Sequence, residues 1–247
     1  MPSGLYSHHD PHDGTLVAYE RFSCAPGPSG WRYVAEVLGP DAATAAGAVD
    51  VTVQIVPGQA APGQGMPERS VPGRIWRLLR VEVRDGGWIV RGGVAAGEVM
   101  WIRTGQGVQQ GPAERGQERQ GPVRERSVRE RSVRASSFAG RSPVFSIVTA
   151  RVLALPEGGT ARVRLVELTE PVLAARTIDE AWAFSGTEEH RTPTGALIVE
   201  RYEVADLATG TPRVLHLAGD VLLAAPGVEL EELDGPPWLA AAPGAAG

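Results

Sequence analysis

Short segments of this chain alternate apolar and polar residues with a period of two. The alternation is sharpest over 79–84 (LRVEVR), after which Asp85-Gly86-Gly87 leads into 88–91 (WIVR). A period of two places the apolar side chains on one face of a β-strand. An Asp-Gly step adopts the positive φ angles of a tight hairpin turn with little strain. The pattern therefore predicts an antiparallel hairpin whose strands are buried on one face.

The same pattern recurs along most of the chain, with turn residues between the segments. The predicted strands are 16–24, 31–38, 49–56, 79–84, 88–91, 98–103, 144–155, 161–168, 197–204, 213–217 and 221–224. Short turns between successive strands favour antiparallel neighbours. The chain shows no helix of crossover length, so we expect an all-β fold, a single antiparallel β-roll or open barrel.

One segment, 177–184, fits two structures. Thr177 and Glu180 have the spacing of a capping box at the start of a helix. Ile178, Trp182 and Phe184 also lie on one face of a strand. Strand is the favoured interpretation, and helix remains the alternative.

Low-complexity segments set the expected domain limits in this chain of 247 residues. Residues 1–13, 57–73, 104–137 and 235–247 are rich in Gly, Pro, Gln, Arg or His, and we expect them to be poorly ordered. The remainder is enough for one domain with a sizeable core. The prediction is a single antiparallel β domain over 14–234, an insert at 104–137 within it, and flexible tails at 1–13 and 235–247.

The insert carries the tandem repeat RERSV-RERSV over 124–133. We interpret it as a solvated low-complexity loop, because loop closure costs little additional entropy as a loop lengthens. An arm for nucleic acid or an acidic partner, or an Arg/Glu helix, are the alternatives. The insert has no aromatic residue for base stacking and the whole chain has a net charge of -5, so we expect no nucleic-acid partner.

Several features of the sequence predict a cytoplasmic location. The single cysteine, Cys24, excludes an internal disulfide, and the first residues lack the basic and apolar regions of a signal peptide. No apolar run reaches the roughly 20 residues that a membrane helix needs. Asp220 interrupts the best candidate, 214–225. We therefore expect no membrane span.

The candidates for catalysis or metal binding are few. The N-terminal run 8–13 (HHDPHD) offers three histidines and two aspartates as zinc ligands, but it precedes the first predicted strand and is interpreted as a flexible polar segment. His190 and His216 have no recognisable nucleophile nearby in sequence, and Cys24 has no activating neighbour. The absence of Lys excludes a phosphate-binding P-loop. We therefore predict no catalytic residue, no metal and no cofactor.

The large aromatic residues are the strongest binding signal. They recur on several predicted strands, where they either line an apolar ligand cavity or fill the core between layers. Both interpretations remain open. The candidate ligand-binding residues are Trp31, Tyr33, Trp88, Trp101, Trp182 and Tyr202.

The order of these features resembles a family of cytoplasmic glycolipid-binding proteins that fold as an antiparallel β-roll. The resemblance is carried by Gly87-Trp88, Trp101, Ser142-Pro143, Arg151, Leu153, Gly158-Gly159 and Tyr202, loosely across residues 16–234. The Asn and Pro of the family motif are absent here, where residues 146–149 read SIVT. The resemblance implies a β-roll with an amphipathic ligand, to whose head group Arg151 would present its planar guanidinium.

These observations predict a non-enzymatic binding protein for an apolar or amphipathic, glycolipid-like ligand. The alternative is a structural or interaction protein with a solid core, which engages a protein partner through an exposed face or through the Arg-rich insert. An enzyme is the third hypothesis, and it needs His190 or His216 near an acid in a pocket.

Overall fold

A computed structural model describes residues 1–27, 30–57, 74–105, 126–192 and 195–238. Most of the predicted filler at 57–73 and of the insert lies outside the described residues, as do 239–247.

The described chain contains fifteen β-strands and one α-helix. The strands are β1 Ser3–His9, β2 Leu16–Gly27, β3 Gly30–Leu38, β4 Ala45–Pro57, β5 Arg74–Asp85, β6 Trp88–Ala95, β7 Glu98–Gly105, β8 Arg126–Arg134, β9 Ser137–Ala139, β10 Thr160–Thr169, β11 Ala174–Thr192, β12 Gly195–Asp206, β13 Pro212–Ala218, β14 Val221–Ala225 and β15 Val228–Asp234. The helix α1 is Pro143–Leu153.

All fifteen strands belong to one open sheet, in the order β8-β7-β6-β5-β4-β3-β2-β1-β15-β14-β13-β12-β11-β10-β9. Every neighbouring pair is antiparallel except β9 with β10, which is parallel. The predicted all-β antiparallel fold is therefore confirmed, in its open form.

The hairpin between β5 and β6 forms where the sequence predicted it. Asp85 pairs with Trp88, and the two glycines between them have φ angles of +53° and +79°. A turn with two successive positive φ angles matches the twist of the strands it joins. The local sequence therefore sets this register.

The two edge strands, β8 and β9, follow each other in the chain with only two residues between them. The amide of Ser136 donates to the carbonyl of Arg164 at 2.8 Å, which holds this link against β10. The sheet consequently curls until its two ends approach each other, although β8 and β9 form no ladder.

The helix α1 lies inside the curled sheet and packs against β5, β9 and β14. The prediction of a strand over 144–155 was wrong. Ser142-Pro143 provides a helix start, since proline at the first helical positions needs no hydrogen-bonded amide. Val144, Phe145, Ile147 and Val148 are all buried. A run that is apolar on every side cannot be distinguished by periodicity from a buried strand.

The prediction of a flexible tail over 1–13 was also wrong, because β1 occupies the middle of the sheet between β2 and β15. Tyr6 is fully buried, and its phenol oxygen accepts a 3.1 Å hydrogen bond from the amide of Leu222. The consecutive polar residues Ser7, His8 and His9 concealed this strand from a prediction based on apolar periodicity.

Two further segments that we expected to be poorly ordered contain ordered residues. Residues 126–134 and 137–139, at the end of the predicted insert, form β8 and β9. Trp238, in the predicted C-terminal tail, packs against the core, and its amide donates to Asp220 at 2.6 Å. The ambiguous segment 177–184 is strand, within β11, as favoured.

Among the described residues, no helix has the length and apolar character required to cross a membrane.

Candidate functional site

A cleft of about 600 Å³ lies at the N-terminal end of α1. It forms because the curl of the sheet brings β10 and β11 opposite β1, β13 and β14, while α1 contributes Pro143 and Ser146. We call this site the α1 cleft. Its volume falls within the range of roughly 300 to 1,000 Å³ that small-molecule sites occupy.

The walls of the α1 cleft combine apolar and charged side chains. Leu168 and Ile178 on one side face Leu215 and Leu222 on the other. The charged and imidazole side chains along the same walls are His8, His9, Asp10, Arg141, Glu167, Glu170, Glu180 and Arg213. This mixture suits a ligand that has both apolar and hydrogen-bonding parts.

Beside the cleft, the carboxylate of Glu20 is the centre of a buried hydrogen-bond network. Its Oε1 accepts bonds from the hydroxyls of Tyr33 and Ser142, both at 2.6 Å, and its Oε2 lies 3.1 Å from His8 Nε2. Burying a carboxylate is costly unless donors replace water. Three donors from β1, β3 and the start of α1 provide this compensation and fix the helix against the sheet.

His8 connects this network to the α1 cleft. Its side chain is only 2% exposed, and because Nε2 faces Glu20, the second ring nitrogen, Nδ1, is left without a partner among the described residues. Ser142 directs its proton to Glu20, so it has no contact with the imidazole that would make it a nucleophile.

A second buried carboxylate, Glu180, lies in the cleft wall. Trp182 Nε1 donates to it at 2.8 Å and Arg213 at 2.7 Å. These bonds hold both charged groups in fixed positions. A polar group that is held in place before a ligand arrives loses little conformational entropy on binding.

The third charged pair of the cleft is Arg141 with Glu170. Burial raises the pKa of the Glu170 carboxyl above its ordinary value, and the positive charge of Arg141 acts in the opposite direction. The cleft therefore presents guanidinium groups and carboxylates side by side.

The structure brings the predicted aromatic residues together in two separate clusters. Trp31 and Tyr33 have ring centroids 6.0 Å apart in the first, and Trp182 and Tyr202 are equally far apart in the second. All four are buried in the core. Trp76, which sequence reasoning missed, adds to the first cluster at 5.5 Å from Trp31.

The other predicted ligand-binding residues lie elsewhere. The ring of Trp88 is covered by the guanidinium of Arg103 at 3.6 Å. Trp101 borders a shallow groove of about 310 Å³ on the sheet. Arg151 forms an ion pair with Glu200 and donates to the carbonyl of Gly219. None of the six aromatic residues nor Arg151 lines the α1 cleft.

The space beside Glu20 inside the roll is only about 20 Å³, which is enough for one water molecule. The described core at this place is therefore filled by side chains. The open α1 cleft is the space of ligand size that adjoins it.

The remaining candidate catalytic residues are His190, His216 and Cys24. His190 is exposed and lies 3.6 Å from Glu188, and His216 lies within β13. Cys24 is buried, and burial raises the pKa of its thiol well above the ordinary value, with a further contribution from Asp220. The thiol is therefore not activated as a nucleophile.

Sequence reasoning missed Glu20 and Glu180, although the alternation contained a signal for both. Glu20 has the same strand phase as buried Ala18 and Phe22, and Glu180 has the same phase as buried Trp182. A charged residue on the apolar phase of a strand indicates a buried, partnered carboxylate.

Comparisons of the chain with protein-family models, with curated proteins and with solved structures found no match. The resemblance to the glycolipid-binding family therefore stays a prediction.

Proposed function

We propose that the protein binds a small amphipathic molecule with a hydroxylated, glycolipid-like head group in the α1 cleft. The observation that carries this proposal is a cleft of ligand size whose walls contain preorganised carboxylate and guanidinium groups next to leucine and isoleucine side chains. A sugar hydroxyl both donates and accepts hydrogen bonds, so it can bind a carboxylate and a neighbouring guanidinium at once.

The proposal replaces the expected lining of the site, since none of the six aromatic residues lines the α1 cleft and Arg151 is engaged by Glu200. Glu180 and Arg213 take the role of head-group ligands. Ile178 and Leu215 provide the apolar wall for the rest of the molecule.

The test is native mass spectrometry of protein purified from its own host, together with a thermal-shift screen against a lipid extract and soluble glycosides. At a ligand concentration one hundred times the dissociation constant, binding stabilises the folded protein by about 2.7 kcal/mol. We expect a bound species and a measurable rise in melting temperature. The absence of both would overturn the proposal.

A matched pair of variants locates the site. Ser146, in the first turns of α1, lines the cleft, so Ser146→Phe fills it and should abolish the ligand-induced shift. Ser185→Phe adds the same side chain at an exposed position on β11 and should leave the shift unchanged. Equal shifts in both variants would show that the ligand binds elsewhere.

A second candidate function is capture of a protein partner on the outer face of the sheet. The exposed side chains Leu79, Met100 and Ile102 border the groove on β5, β6 and β7. Contiguous exposed apolar side chains are typical of interaction surfaces. Cross-linking in host extract should give one defined adduct that Met100→Glu removes and Val34→Glu, at an exposed position on β3, retains.

A further inference from the structure

His9, Glu229 and Glu231 meet at the end of β1, where His9 also borders the α1 cleft. Tyr6 and His8 of β1 point inward, so Ser7 and His9 alternate to the other face, where β15 is the neighbouring strand. One ligand atom from each of His9, Glu229 and Glu231 lies within 4.8 Å of the others. We propose that these three side chains bind a divalent transition-metal ion, of which Zn²⁺ is the best match.

The orientation of His9 supports metal binding. Its Nδ1 lies 3.2 Å from the carbonyl oxygen of Gly14, which can only accept, so Nδ1 carries the proton. When the ring is neutral with its proton on Nδ1, the lone pair of Nε2 is directed to Ser7 Oγ, 3.0 Å away. A histidine whose second nitrogen donates to a backbone carbonyl is the usual arrangement of a zinc ligand.

While the His9 ring is neutral, the hydrogens in this cluster do not satisfy its acceptors. Ser7 Oγ donates to Glu231 at 2.6 Å, and the same oxygen lies 3.0 Å from His9 Nε2. One hydroxyl has one proton, so while the ring is neutral and protonated on Nδ1, a proton given to Glu231 leaves the lone pair of Nε2 facing an oxygen without a donor. A metal ion at this point would satisfy Nε2.

The negative charge of the cluster also favours a bound cation. Glu229 and Glu231 flank Leu230 on β15 at a shift of the β1–β15 register, and one carboxylate oxygen of each lies within 4.8 Å of the other, so the two groups repel each other. Within the described part of the chain, neither forms an ion pair with an arginine. A divalent cation supplies the missing positive charge.

The donor set is compatible with zinc, because imidazole nitrogen and carboxylate oxygen are both zinc ligands. One imidazole nitrogen and two carboxylates form a three-ligand tetrahedral site with the fourth position open to water. Bond lengths of about 2.1 Å place tetrahedral ligands roughly 3.4 Å apart. The ligand atoms of the present cluster lie within 4.8 Å of one another, and both glutamate side chains are exposed.

The experiment is a titration of the full chain with ZnCl₂. Calorimetry and the melting temperature measure zinc binding, and EDTA is then added to remove the zinc. We expect saturable binding of one zinc per chain and a reversible rise in melting temperature. His9→Ala and Glu231→Gln should each weaken binding at least tenfold.

Matched controls separate this site from incidental zinc binding. His12→Ala removes an exposed histidine of the adjoining turn, and Glu232→Gln removes a neighbouring exposed acid of β15. Both should keep the wild-type affinity. The proposal is overturned if wild type takes up no zinc with this stoichiometry, or if His9→Ala, shown to be folded by circular dichroism, binds as tightly as wild type. His9 also borders the α1 cleft, but no organic ligand enters the titration, so a failed zinc titration does not bear on the proposed amphipathic ligand.

Discussion

At the scale of single residues, this fold depends on carboxylates that lie inside it with specific donors. Glu20 and Glu180 are buried among apolar side chains, as is Asp220, which accepts a 2.9 Å bond from Trp31 Nε1. Burial raises the pKa of Asp220, and the bond from Trp31 opposes this rise. The donor Trp31 lies 189 residues away in the chain, so no local pattern reveals the pair.

Glu82 of β5, which is 6% exposed, shows the opposite shift, since its pKa is lowered. Arg91, Arg84 and Arg80 donate to its carboxylate and lower its pKa to about 2. The ionised form is therefore stabilised in the folded protein. This stability is fully present above the ordinary pKa near 4.5 and is lost as the pH falls towards 2.

Glu82→Gln should therefore reduce the free energy of unfolding at pH 7 by about 1 to 2 kcal/mol. The expected loss is smaller than the free energy that corresponds to the whole pKa shift, because the three arginines are more than half exposed and solvent screens their charges. Urea denaturation between pH 7 and pH 2.5 measures this loss of stability, and Glu36→Gln, at an exposed position, is the control. The deficit should shrink as the pH falls, and a deficit independent of pH would contradict this account.

At the scale of elements, turn chemistry proved more informative than apolar runs. The Asp85-Gly86-Gly87 turn fixed a hairpin, whereas the run 144–155 was assigned to the wrong element. Half-buried strands expose one face, so their period is visible in the sequence. The helix α1 is covered on nearly all sides by the sheet around it, so its sequence carries no amphipathic period.

Because α1 fills the inside of the sheet, shortening one of its side chains should leave a cavity. Ile147 is fully buried, and Ile147→Ala should lower the free energy of unfolding by about 2 to 5 kcal/mol. Val152→Ala, at a partly exposed position of the same helix, should cost distinctly less. Chemical denaturation compares the two, and equal losses would show that α1 is not the centre of the core.

At the scale of the whole molecule, the first strand joins the two parts of the sheet. β1 is hydrogen-bonded to β2 on one side and to β15, the last strand, on the other. Residues 1–9 therefore pair with residues more than 200 positions away in the sequence. Without them, the sheet would be divided between β2 and β15.

Removal of residues 1–9 should consequently prevent cooperative folding, because it leaves the long edges of β2 and β15 unpaired and exposes apolar surface. Removal of the nine residues 239–247, a deletion of equal length, should preserve folding, since the described strands end at Asp234. Thermal unfolding followed by circular dichroism distinguishes the two. A cooperative transition in the first deletion would contradict the central role of β1.

The sequence by itself determined the strand class of this protein, most strand positions and the antiparallel pairing, because alternation and turn residues act over a few neighbouring positions. Only the tertiary structure decided that 3–9 is a central strand, that 143–153 is a helix, and that aromatic residues fill the core while the α1 cleft opens beside them. These outcomes depend on which distant side chains satisfy buried polar groups and occupy the inside of the curled sheet. Such partners become neighbours only once the sheet has curled.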